Sequence, residues 1–287
     1  MPILSFAGYI RTGEEAFDRG ISALAVTTIG SASYLLSASG QEGGLASFAL
    51  DNATPNLSDL YLMSAQVAAG TGRPITSIST GAAQLLLTGQ QQATGAELLS
   101  LQPDGALAFA GTLQGLPFGP VNWFAQTGES LVSAELGAAS VTLAQWSGSS
   151  LASAPLTLQD TAQSHLASLS ALAVGTLFGT DYLVTGSASE AGVSLFALSG
   201  ATSELQSSFS AAAGLGLLCT TDIHLVELQG TGFVIVASAP ELGSAGALSV
   251  FALGQNGALT PVDHILDTQD SRFGKVVALD ALEVQGQ

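Results

Sequence analysis

Five segments of this chain share one layout, and that repeat constrains its fold more than any other feature. Each is an apolar strand, a turn rich in Gly, Ser, Ala or Gln, and a second apolar strand. They read YLLSASGQEGGLASFAL from Tyr34, QLLLTGQQQATGAELLSL from Gln84, SLVSAELGAASVTLAQW from Ser130, YLVTGSASEAGVSLFAL from Tyr182 and FVIVASAPELGSAGALSVFAL from Phe233. Successive starts lie 46 to 52 residues apart. Polar turns of similar chemistry follow, among them QPDGAL and GQNGAL. Asp104-Gly105 and Asn256-Gly257 predict type I′ hairpins, whose two central residues both need positive φ.

Each unit adds a strand on either side of its hairpin. ISALAVTT from Ile21, ITSIST from Ile75, VNWFAQT from Val121, SALAVGTL from Ser170 and DIHLVEL from Asp222 precede; LSDLYLMSA from Leu57 and LTPVDHIL from Leu259 follow. Four short strands per period, labelled a to d, predict an all-β fold, a β-propeller of four-stranded antiparallel blades. A parallel β-helix would need a shorter repeat, and tandem sandwiches would not reuse this period. The blades are expected over 21–66, 75–113, 121–160, 170–212 and 222–266. FAGYIRTGEEAFDRGISALAV near the start aligns with PVDHILDTQDSRFGKVVALDAL near the end, placing Ile10 opposite Ile265 and Ile21 opposite Val276. Residues 3–10 and 276–285 are thus expected as split strands of a sixth blade lacking b and c, in one incomplete propeller domain spanning 1–287.

Composition fits such a fold. Apolar residues make up 47% and charged residues only 9%, against about a quarter in ordinary domains. Small residues let twisted sheets approach closely. With a formal net charge of −17 and only Arg11, Arg19, Arg73, Arg272 and Lys275 as basic residues, the chain is expected to bind neither nucleic acid nor an anionic membrane face. Mean hydropathy is +0.46, yet the longest nearly apolar stretch, 211–219, is far short of the roughly 20 residues a spanning helix needs. The lone Cys219 is read as a small buried apolar residue.

YLVTGSASEAGVSLFALSG and GQNGALTPVDHILDTQ resemble the N-terminal propeller region of bacterial haemolysin-type (RTX-like) calcium-binding proteins, which is itself similar to lactonase-type propellers. The resemblance implies an extracellular, modular protein exported without an N-terminal signal peptide; cytoplasmic scaffolding is the alternative. The calcium-binding nonapeptide GGxGxDxUx of that family is absent from this sequence.

Two groups of residues are candidates for chemistry. Asp267 and Asp270, with Asp263 near them, bring oxygen ligands to short spacing and would suit calcium. A solvated loop between blades explains them equally. Asp222 and His224 share one face of an a strand and would present a carboxylate and an imidazole to a central channel, to bind metal or act as a base. A hydrolytic or metal site needs three or more convergent groups, and His165 and His264 have no related positions. Trp123, Phe124 and Trp146 read as core aromatics. No G-x-S-x-G elbow, GxGxxG, P-loop or CxxC with the required context occurs. The expected function is a non-catalytic binding or scaffolding module with a protein or glycan partner. The alternative is a lactonase-like hydrolase with its site at the channel mouth.

Overall fold

A computed structural model describes residues 10–39, 44–50, 55–62, 75–79, 84–88, 96–113, 123–147, 151–152, 154–210, 214–239, 246–268, 276 and 279. They form five four-stranded antiparallel sheets, each in chain order. The fold is all-β, of propeller-blade type. The first sheet comprises β1 (Ile21–Ile29), β2 (Ala32–Ser39), β3 (Gly44–Ala49) and β4 (Asn56–Leu62); the second comprises β5 (Ile75–Ser79), β6 (Gln84–Thr88), β7 (Ala96–Leu101) and β8 (Leu107–Leu113). The third comprises β9 (Trp123–Thr127), β10 (Ser130–Ala134), β11 (Ser140–Gln145) and β12 (Leu156–Gln159). The fourth runs through β13 (Leu169–Leu177), β14 (Thr180–Ser187), β15 (Gly192–Ser199) and β16 (Thr202–Ser210). The fifth holds β17 (Thr220–Leu228), β18 (Thr231–Ser238), β19 (Ala247–Leu253) and β20 (Leu259–Leu266). One short helix, α1 (Glu15–Asp18), precedes β1. Most of the expected split blade lies outside the described residues. The chain divides into two compact units, one built on β1–β8 and the other on β9–β20.

In the first unit, Tyr34, Leu36 and Leu45 pack on Leu99, Leu101 and Leu107. Three hydrogen bonds join the two sheets beside this core. Tyr34 Oη donates to Pro103 O at 2.6 Å, Ser47 Oγ donates to Gly105 O at 2.6 Å, and the Leu107 amide donates to Asp59 Oδ2 at 2.7 Å. Gly105 has φ +87°, and a Cβ there would lie 2.6 Å from Ser58 Cβ, so both conformation and space demand glycine.

This turn corrects the expected type I′ geometry. Of Asp104 and Gly105 only the glycine has positive φ, and its amide bonds back to Gln102 O at 2.9 Å. Pro103 sits at the first central position, which its fixed φ suits to a type I turn. A left-handed glycine then closes a bulge. Gly254 to Gly257 repeats the arrangement, with Gly257 at φ +77° and its amide on Gly254 O at 2.9 Å.

In the second unit the first strands β9, β13 and β17 lie side by side. Leu183 and Phe196, with Leu172, Val174 and Leu205, pack against Val132, Val141 and Leu143. Tyr182, Val184, Val193 and Leu195 pack on Ile223, Val234, Val236 and Phe251. The Leu259 amide bonds to Ser207 Oγ at 3.1 Å, and Ser207 Oγ donates to Gly257 O at 3.0 Å. That tie is the counterpart of the one between Leu107 and Asp59.

Strand register shows how closely the blades copy one another. Leu172, Val174, Leu183, Phe196 and Leu205 share one face of the fourth sheet. The same positions of the first sheet carry Leu24, Val26, Leu35, Phe48 and Leu57, identical in type. There Leu24 and Val26 are 63% and 67% exposed, whereas their copies sit in a core. Phe124 and Trp146 are buried as expected, but Cys219 is only half-buried, held at φ +51° just before β17.

Candidate functional site

Asp222 and His224 stand where the first sheet has Ala23 and Ala25 and the fourth has Ala171 and Ala173. Those alanines pack against the cores between sheets. The Asp222 carboxylate is taken up by main chain: Oδ1 accepts the Ile223 amide at 2.9 Å and Oδ2 the Leu279 amide at 2.5 Å. Thr221 Oγ1 donates to Val276 O at 2.7 Å beside it. A blade's first strand directs side chains to the two faces of its sheet, so this pair lies on a face, in the row of His224, Ile235 and Val250. Asp267 is half-buried after β20 with its amide on Gly246 O at 2.8 Å, and Asp270 lies outside the described residues. Among the described residues, no group of three or more His, Cys, Asp or Glu comes together in a way that would hold a metal ion.

The described residues bring an imidazole, a carboxylate and several hydroxyls together at one place that sequence reasoning did not pick out. It lies in the second unit, between the crossover from β12 to β13 and the β14–β15 hairpin. Asp160 Oδ1 folds the crossover by accepting the Leu166 amide at 3.1 Å, and the His165 amide donates to Ser194 Oγ at 2.8 Å. The ring of His165 then lies over Gly192, where a Cβ would be only 2.5 Å from its Cγ. Glu190 Oε2 accepts the Ala167 amide at 3.1 Å and lies 3.9 Å from His165 Nδ1. Ser187 Oγ accepts the Glu190 amide at 3.0 Å, and Ser187 and Ser189 both donate to Ala167 O.

His165 Nδ1 is buried without a hydrogen-bond partner, while the side chain as a whole is 21% exposed. At 3.9 Å the carboxylate is too far for a hydrogen bond and close enough to attract the ring whenever it carries a proton on both nitrogens. Such a pair suits proton transfer, because a fixed carboxylate stabilises the imidazolium that forms. The clue in the sequence was the glycine opposite the histidine. In the fifth sheet Gly216 meets Ala247 and His264 instead, so the bulk is exchanged between the two sides.

A second polar cluster lies at the other end of the strands. Thr127 Oγ1 donates to Asp181 Oδ1 at 2.9 Å, and Thr176 Oγ1 reaches the same oxygen at 2.5 Å. Asp181 Oδ2 fills the space beside Gly128, which has φ +52°. This carboxylate clamps two sheets and has no imidazole beside it.

No family model and no curated protein matches the sequence. Solved structures do match the fold. A Bacteroides fragilis protein named as a 6-phosphogluconolactonase aligns with TM-score 0.61 and 16% identity, over 86% of this chain and 71% of its own. A like-named protein of Bacteroides uniformis gives 0.56 and 18%, over 84% and 70%. The periplasmic gluconolactonase of Pseudomonas aeruginosa gives 0.56 and 16%, over 82% and 67%. At these identities the likeness is one of fold.

These neighbours correct the resemblance to haemolysin-type (RTX-like) calcium-binding proteins, because the fold they define is that of lactonase-type propellers. The b–c hairpin pattern that suggested the resemblance is imposed by sheet packing, which alternates bulky and small residues in any blade; it reports architecture and not family. The expected non-catalytic binding or scaffolding module of a calcium-binding-type protein falls with it. No helix among the described residues is long and apolar enough to cross a membrane.

Proposed function

We propose that this chain is a lactonase-like hydrolase whose acid–base group is His165. The reading is supported by the shared fold with proteins named as lactonases, and carried by the one imidazole of the described residues that has a carboxylate within 4 Å and a buried, unpartnered nitrogen. In lactone hydrolysis, water adds to the ester carbonyl carbon and the ring C–O bond breaks. The proton lost by the water ends on the departing ring oxygen, giving an open hydroxy acid. His165 takes that proton and returns it. Glu190, anchored by the Ala167 amide, offsets the transient imidazolium charge. A catalytic contact that is too long for a hydrogen bond in a free enzyme can close to one when substrate binds.

The test is pH-stat measurement of lactone opening above the buffer rate, for the wild type and His165→Gln. Removal of a general base is expected to lower kcat by about 10²-fold or more. Circular dichroism shows whether the variant remains folded. A wild-type rate equal to buffer, or a folded variant with unchanged kcat, overturns the proposal.

A further inference from the structure

We infer that the substrate is an uncharged lactone, and that the field of the protein excludes phosphorylated and carboxylated ones. The inference rests on the hydrolase reading above and concerns what that site would admit.

An anionic group is held by an Arg fork, a Lys ammonium, a bound metal or the N-terminus of a helix. The chain has five Lys and Arg against 22 Asp and Glu. Of its basic residues only Arg11 and Arg19 fall among the described ones, both before β1 in the first unit. Arg19 is paired with Glu15. Among the described residues of the second unit, where His165 lies, there is no Lys or Arg; Arg272 and Lys275 of that unit lie outside the described residues. Helix α1 spans four residues and is preceded and begun by Glu14 and Glu15, so it offers no anion site. Among the described residues no three or more His, Cys, Asp or Glu come together in a way that would hold a metal ion.

The charges at the candidate site point the same way. Glu190 lies 3.9 Å from His165 Nδ1, so an anion docked against the imidazole would meet a carboxylate. A neutral lactone meets no such penalty. Its hydrolysis creates a carboxylate, which the formal charge of −17 then drives outward. One field thus admits the substrate and expels the product. Two of the fold neighbours are named for a phosphorylated lactone, and this chain's charge separates it from that specificity.

The experiment compares kcat/KM of the full chain on glucono-1,5-lactone and δ-valerolactone with that on 6-phosphoglucono-1,5-lactone, at low and at high salt. The expected result is a neutral substrate preferred at low salt by about tenfold or more, with the phosphorylated one gaining as salt screens repulsion beyond a Debye length. Rates on neutral lactones should stay flat with salt. If the phosphorylated lactone is opened as well at low salt, the inference is overturned and the hydrolase reading stands. If none of the three opens faster than in buffer, both fall.

Discussion

Asp222 Oδ2 accepts the amide of Leu279 at 2.5 Å, tying the first strand of the fifth sheet to chain that follows it by 57 residues. The carboxylate does a structural job where the first and fourth sheets place alanine. Asp222→Ala should therefore speed hydrogen exchange at the Leu279 amide, lower stability by no more than about 2 kcal/mol, the scale of one charged hydrogen bond, and leave lactone hydrolysis nearly unchanged. A large loss of turnover with exchange unaltered would return Asp222 to the list of reacting groups.

Val26 and Val174 occupy one position of two sheets and differ in surroundings. Val26 is 67% exposed, and Val174 packs against a core. Val174→Ala should cost about 1–2 kcal/mol through lost burial and a residual void. Val26→Ala should stay within about 0.5 kcal/mol, as exposed substitutions do. Denaturant midpoints of the two variants measure the difference.

His165 and Gly192 form a size-matched pair, and Gly216 with Ala247 forms the reverse match. Gly192→Ala alone should destabilise by about 1–3 kcal/mol through overpacking. His165→Gly combined with Gly192→Ala reproduces the arrangement of the fifth sheet. A double-mutant cycle should give a favourable coupling of about 1 kcal/mol or more, and additive effects would show that the ring and the glycine do not compete for space.

Asp18 accepts the Thr12 amide at 2.8 Å and the Thr12 hydroxyl at 2.9 Å, with the Gly13 amide at 3.3 Å. The Thr12 amide above all holds its carboxyl below the usual carboxylate range, against a smaller opposing effect of desolvation. Since the folded value is the lower one, this contribution is fully present above the unfolded value and disappears as pH falls through the folded one. Carbon-detected NMR titration should find Asp18 losing its proton at lower pH than a free aspartate. Asp18→Asn should make the order of the turn before α1 insensitive to pH in that range.

The blade pattern was legible because packing on both faces forces it into the sequence. Leu36 and Val184 recur at the same blade position since each fills the gap between its own sheet and the next. Turn chemistry was legible as to place, at Gly105 and Gly257, but not as to type: in both turns only the glycine takes positive φ, where the Asp-Gly and Asn-Gly signals call for two such residues. The candidate site was hidden for a different reason. His165 meets Gly192 across two loops, and only strand register brings them opposite. Asp222 and His224 share a face as the sequence pattern implies, but the partner of Asp222 was not legible, because the Leu279 amide reaches it from chain that a one-dimensional pattern does not place beside it. A bulge between Thr220 and Asp222 shifts the register at that point.

The ties from Leu107 to Asp59 and from Leu259 to Ser207 have a consequence for how such a chain grows. Each joint is made by the turn and outermost strand of the very part being joined. Copying one stretch of about fifty residues therefore copies its own rivet, and a longer assembly needs no new kind of fastening.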